Sequence, residues 1–147
     1  MIEPALGYQL PERVLEELEN ASSVAEIERI TAGFLADIGF RQYTYYLVRR
    51  EPYGEQLQGY FSNFDPRWLE RYTEQAYVGR DLLQIHGRRS VLPMRWKPRT
   101  KKGIPADGAK VFSEAQDFGI RDGITVPIHG PGSFALMSAV ADGSPRE

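Results

Sequence analysis

The chain contains no cysteine. That removes disulfides, thiol nucleophiles and thiolate metal sites together. Only two histidines, His86 and His129, occur among its 147 residues. Neither stands in a metal-ligand spacing such as H-E-x-x-H, and no G-x-S-x-G elbow or P-loop is present. A dominant charge is lacking too: 18 Lys and Arg against 20 Asp and Glu leave a net charge of −2. So small an imbalance gives no electrostatic footprint for nucleic acid or an anionic membrane. No apolar run approaches the ~18 residues that a membrane span needs. Residues Met1 to Val14 have neither a basic flank nor an apolar signal-peptide core. A cytoplasmic protein with no membrane segment fits all of this. The sequon Asn20-Ala21-Ser22 then reads as chance.

What is present is ordinary for a globular protein: 41% hydrophobic and 26% charged residues. The length argues for one domain. Roughly 68–70% of the unfolded surface can be buried at this size, enough for a core and a pocket. No internal repeat or low-complexity tract interrupts it.

Helical spacing comes first. Val14, Leu15 and Leu18 share one face of a short helix between Pro11 and Asn20. Ser23-Val24-Ala25-Glu26 is a capping box. It precedes the stripe Ile27, Ile30, Phe34, Leu35 and Ile38, which Gly39 ends. Gln42 to Arg49 alternates aromatic and β-branched residues, with both faces mostly apolar, so both are expected to be covered. Leu57 to Ser62 returns as its hairpin partner across a turn at Arg50 to Gly54. A helix over 66–77 and a short one over 82–88 follow. Ser90 to Trp96 reads as a strand with Pro93 at an edge or bulge. Lys97 to Gly103 is a basic loop, read as solvated surface. Asp107 can cap a helix that buries Val111, Phe112, Ala115 and Phe118 and stops at Gly119. Gly123 to His129 and Phe134 to Ala141 form a second hairpin around Gly130-Pro131-Gly132. Residues 142–147 read as a fraying end. Hairpins on both sides of the helices imply an α+β fold with a mixed or antiparallel sheet.

The stretch from Phe64 to Trp96 stands out. Asp65-Pro66 is a helix start. Trp68, Leu69, Tyr72 and Ala76 follow on one helical face. Asp81 precedes the apolar residues Leu82, Leu83 and Ile85. Trp and Tyr each combine apolar area with one donor that wants a partner. Such a set suits a small amphipathic ligand with a carbonyl at one end. It equally suits a core helix followed by a capping aspartate. Ser138 is a lone hydroxyl in the apolar row Phe134, Leu136 and Val140; it can meet a ligand or a neighbouring carbonyl. A lone His at a strand end, as at His129, reads as structural.

The order Trp68, Tyr72, Asp81, Trp96, Gly123, with the segment Asp117 to His129, resembles the ligand-binding domain of LuxR-type quorum-sensing regulators. The resemblance runs from about Phe34 to Ala141. It implies an α-β-α sandwich with a five-stranded antiparallel sheet covered by helices on both faces. An N-acyl-homoserine lactone would be held between sheet and helices, with no further cofactor. By the resemblance, Trp68 donates to the lactone carbonyl, Asp81 accepts the amide N–H, and Ser138 reaches the acyl carbonyl. Tyr72 and Trp96 wall the ligand, Phe64, Leu83 and Tyr60 complete the lining, and Gly123 sits where a side chain would intrude. Two positions depart from the family: Phe64 replaces its usual tyrosine and Leu82 its usual proline. The family also carries a C-terminal helix-turn-helix, which does not occur before Glu147. The expectation is therefore a sensing domain without catalysis, a homodimer in the family's manner, touching DNA only through that further domain. The rivals are a short form that inhibits a full-length regulator by heterodimerisation, and a hydrolase of the same lactone.

Overall fold

The structure, a computed structural model, describes residues 11–97 and 106–141. Five antiparallel strands form one open sheet in the order β2-β1-β5-β4-β3. These are β1 (Phe40–Glu51), β2 (Gly54–Ser62), β3 (Met94–Trp96), β4 (Gly123–Gly130) and β5 (Ser133–Ala141). The helices are α1 (Glu12–Glu19), α2 (Val24–Asp37), α3 (Pro66–Glu74), α4 (Leu82–Arg89) and α5 (Ala106–Gln116). The two expected hairpins, β1–β2 and β4–β5, flank the helical middle of the chain. β1 and β5 then pair with each other in the centre of the sheet.

Alternation along β1 divides the core in two. Tyr43 joins Phe61, Ala139 and Leu35 of α2 on one face. On the other face, Val48, Phe134 and Leu136 form one cluster. Beside it lies a larger one with Trp68, Tyr77, Trp96, Val111, Ala115, Ile120 and Val140. Helices thus cover both faces, as the two-sided apolar pattern of β1 and β5 requires. Ser23 caps α2 by accepting from the Glu26 N–H at 3.1 Å, while Glu26 accepts from the Ser22 N–H. Asp65 caps α3 through the Arg67 N–H at 2.9 Å.

Several boundaries differ from the sequence reading: β1 and β2 run longer than expected, β2 starting at Gly54 rather than Leu57. The central helix stops at Glu74, three residues short of the expected end. Ala76 adopts a left-handed backbone (φ 50°), and a single 3-10 turn follows at Tyr77–Gly79. Arg80 secures this break by donating to the Gln75 carbonyl at 2.6 Å. The break lets Tyr77 bury fully and donate its phenol to Glu114 of α5. The strand expected from Ser90 shrinks to Met94–Trp96. Pro93 has no N–H for a ladder, and the Ser90 hydroxyl instead accepts from the Leu92 N–H. Asp107 lies inside the first turn of α5 rather than before it. Most of the basic loop and the fraying end fall outside the described residues.

Candidate functional site

A cavity of about 300 Å³ lies between the sheet and helices α3, α4 and α5. Trp68, Asp81, Ser138, Tyr72, Trp96, Phe64, Leu83 and Tyr60 all line it, although they come from five different elements and the segments between them. The volume is at the lower end for small-molecule pockets. Trp68 and Tyr72 face it from one side of α3, with ring centroids 5.8 Å apart and edge to face. Phe118 closes the other flank of Trp68 at 5.5 Å. The Trp68 N–H forms no hydrogen bond to a described residue.

Asp81 does two jobs at once. Its Oδ1 accepts from the Leu83 N–H at 3.0 Å and so caps α4. Its Oδ2 accepts from the Tyr72 phenol at 2.7 Å. The residue faces the cavity, and burial pushes its pKa up against the opposing pull of both donors. Burial, then the Asp81 charge, pushes the Tyr72 phenol up in turn. A carboxylate can accept about four hydrogen bonds, so two donors leave it capacity for a third from inside the cavity.

On the opposite wall runs a buried chain that the sequence reading did not find. The Trp96 indole donates to Thr125 Oγ1 at 3.0 Å, and Thr125 lies 2.7 Å from Ser138 Oγ. Thr125 is fully buried and Ser138 is 6% exposed. The register explains the meeting, since Thr125 and Ser138 are directly paired across β4 and β5. Either hydroxyl can donate in the Thr125–Ser138 bond; Thr125, accepting from Trp96, has its own hydrogen available for Ser138. With Thr125 as donor, Ser138 has one hydrogen for the cavity. Gly123 makes the approach of Trp96 possible. A Cβ there would stand 2.6 Å from the Trp96 ring and 2.3 Å from the Ala139 carbonyl oxygen.

Tyr46 and Gln84 were also missed. The Tyr46 phenol donates to Gln84 Oε1 at 2.5 Å, and both residues line the cavity. The signal was available for Tyr46, which shares a strand face with Thr44. The histidines lie apart from this chemistry. His129 Nε2 is 2.9 Å from the Gly87 and Ser90 carbonyl oxygens, and His86 Nε2 is 3.2 Å from that of Leu92. Among the described residues, no three His, Asp or Glu side chains cluster in a way that could hold a metal ion. None of the described helices is long and apolar enough to cross a membrane.

Residues 23–147 match the family described as the autoinducer binding domain. The chain belongs to that family. Among curated relatives, the transcriptional activator VanR of Vibrio anguillarum is 25% identical over 127 residues, 86% of this chain and 52% of that protein. TraR of Rhizobium radiobacter is 25% identical over 136 residues, covering 89% of this chain and 56% of its own length. The chain spans about half the length of the curated relatives it matches. Two solved structures share the fold. CepR2 of Burkholderia cenocepacia, described as an N-acylhomoserine lactone dependent LuxR family transcription factor, superposes with a TM-score of 0.75 at 23% identity. It covers 92% of this chain and 78% of that one. Escherichia coli SdiA gives 0.75 at 14% identity, covering 92% and 56%. SdiA has also been solved in complex with octanoyl-rac-glycerol. The autoinducer-binding domain therefore has the LuxR-type architecture that its Trp-Tyr-Asp-Trp-Gly order suggested, and its relatives are transcriptional regulators.

Proposed function

We propose that this autoinducer-binding domain senses an N-acyl-homoserine lactone, enclosed between the sheet and helices α3 to α5. One observation carries the reading. A largely apolar cavity presents a desolvated carboxylate, an indole N–H without a hydrogen bond to a described residue and a hydroxyl able to donate or accept, at Asp81, Trp68 and Ser138. An acyl-homoserine lactone offers the complement: one amide N–H, an amide carbonyl and a ring carbonyl on an apolar tail. A buried amide needs both its donor and its acceptor met. In this arrangement Asp81 accepts the amide N–H, Ser138 donates to the acyl carbonyl and Trp68 donates to the lactone carbonyl. Tyr72 and Trp96 flank the ring.

The domain acts as a binding module rather than an enzyme. Hydrolysis of the lactone would need an activated nucleophile, and both histidines lie against backbone carbonyls outside the cavity lining. In the family's manner the domain works in the cytoplasm as a homodimer and reaches DNA through a helix-turn-helix domain. A helix-turn-helix encoded downstream of Glu147 would make it the sensing half of a full regulator. A stop codon there would make it a short form that pairs with one.

The test is a thermal scan of the purified chain with lactones of varied acyl length, alongside mass spectrometry of any copurifying small molecule. A ligand binding only the native state stabilises it by about 2.7 kcal/mol at a hundredfold excess over Kd. That is several degrees of melting temperature for a domain of this size. No shift with any lactone refutes the ligand assignment, and ring-opened product would refute the assignment as a binding module.

A further inference from the structure

The cavity wall has an order that the strand register makes readable. Trp96 stands opposite Gly123, and Gly123 opposite Val140. Two residues along β5, Ser138 stands between Thr125 and Thr44. Two further along, Leu136 stands beside Tyr46, which pairs in turn with Tyr60 of the edge strand. Each step is about 7 Å. Tyr46 is therefore one step beyond Ser138, on the side away from Trp96. Gln84 lies one helical turn after Asp81 and meets Tyr46 there.

This second polar group is not needed by the head of a ligand held at Asp81 and Ser138. Its neighbours on the wall, Leu83, Leu136 and Phe64, are apolar. The Tyr46 phenol satisfies the Gln84 carbonyl. Arg88, itself held by Glu55 at 2.6 Å, reaches the phenol oxygen at 3.4 Å from outside. The Gln84 amide nitrogen carries two donors. Neither of these N–H groups forms a hydrogen bond to a described residue. Against a plain alkyl chain such an N–H would lose water and gain no partner. An acceptor oxygen on the ligand would meet it.

We propose that Tyr46 and Gln84 form a polar subsite selecting ligands whose tail carries an acceptor oxygen, as an oxo, hydroxyl or phenol group, over ligands with a plain alkyl tail. The proposal rests on the reading that the head of the ligand is held at Asp81 and Ser138. It goes further by naming what the tail must contain.

The experiment is a set of binding titrations on the wild-type chain, Gln84→Leu and Tyr46→Phe. The probes are octanoyl-, 3-oxo-octanoyl-, 3-hydroxyoctanoyl- and p-coumaroyl-homoserine lactone, with 1-octanoylglycerol and 1-(3-hydroxyoctanoyl)glycerol as a second head group. At least one oxygenated tail should bind the wild type roughly threefold to tenfold tighter than its alkyl counterpart, the value of one neutral hydrogen bond. Gln84→Leu should abolish that preference while leaving the alkyl ligand bound as tightly or more so. Should Gln84→Leu fail to fold, Gln84→Met serves the same purpose. A merely structural pair predicts equal losses for every tail. Equal wild-type affinity for both tails, or a preference that survives both variants, overturns the subsite. Lactones that bind without tail preference sink the subsite and leave the lactone reading standing. A Gln84-dependent preference seen only with glycerol esters does the reverse, and binding of neither head overturns both.

Discussion

Replacing Asp81 separates the two jobs its carboxylate performs. Asp81→Asn keeps an oxygen that can accept from the Leu83 N–H, so the cap on α4 survives. It removes the charge and one acceptor. In the unliganded domain the folded pKa of Asp81 is raised by burial. A raised carboxyl pKa means that the fold favours the protonated form. That contribution to stability is fully present below the unfolded value, near 3.8, and is lost as pH rises through the folded pKa. The unliganded wild type should therefore lose stability over that window relative to Asp81→Asn, which has no charge to bury. Ligand binding should move the other way. An amide N–H donating to a carboxylate contributes about 1.5–3 kcal/mol, so Asp81→Asn should weaken binding roughly tenfold to a hundredfold. Because that donor favours the ionised form, wild-type affinity should climb with pH across the same window and then level off.

Asp81→Ala supplies the contrast. It leaves the Leu83 N–H and the Tyr72 O–H without their acceptor. Loss of the cap alone costs about 1 kcal/mol. Calorimetric titration with an acyl-homoserine lactone and melting curves from acid to neutral pH measure both quantities on all three proteins. If Asp81→Asn binds as tightly as wild type and Asp81→Ala loses only stability, Asp81 is a cap and nothing more.

Other substitutions probe the rest of the site. Thr125→Val leaves the Trp96 N–H unpaired and Ser138 without its orienting partner, so both stability and lactone affinity should fall by about 1–3 kcal/mol and Thr125→Ser should restore both. A stability loss with unchanged affinity would show that Thr125 serves Trp96 alone. Phe64→Tyr restores a hydroxyl at the cavity wall and should tighten binding by about 0.5–1.5 kcal/mol, one neutral hydrogen bond. Titration of the lactone panel checks it, and weaker binding throughout would mean that the pocket has repacked around Phe64. Glu114 is held down to about 2 by hydrogen bonds from Arg71 and Tyr77. Its depressed pKa gives stability that is present above the ordinary carboxyl range and lost as pH falls toward 2. Glu114→Gln should melt lower than wild type at neutral pH and converge with it in acid; parallel melting curves at every pH would refute that.

How far the sequence carried this reading depended on the kind of signal. Period and capping located the elements, because Ser23, Asp65 and Asp81 each sit where free helix amides need an acceptor. The central helix ran too long on paper because Trp68, Leu69, Tyr72 and Ala76 keep perfect spacing. What ends it is Arg80 on the Gln75 carbonyl and Tyr77 on Glu114, contacts that no local pattern records. The same division holds in the site. Within the Phe64 to Trp96 stretch, aromatic density and family order pointed to Phe64, Trp68, Tyr72, Asp81, Leu83 and Trp96, which line one cavity, whereas Ala76, Leu82 and Ile85 from the same stretch do not. Thr125 and Gln84 were not. Thr125 reads as an ordinary β-branched strand residue, and its meeting with Ser138 and Trp96 follows from register between β3, β4 and β5. Gln84 reads as an ordinary polar helix residue on what should be the wet side of α4. It reaches the cavity where α4 packs closely on β5: a Cβ at Gly87, one turn later, would stand 2.5 Å from Leu136 Cδ1. A position chosen by such a close approach carries no periodic signature of its own. Positions such as Thr125 and Gln84 are set by these contacts, while Trp68, Tyr72, Asp81 and Trp96 announce themselves in the chain.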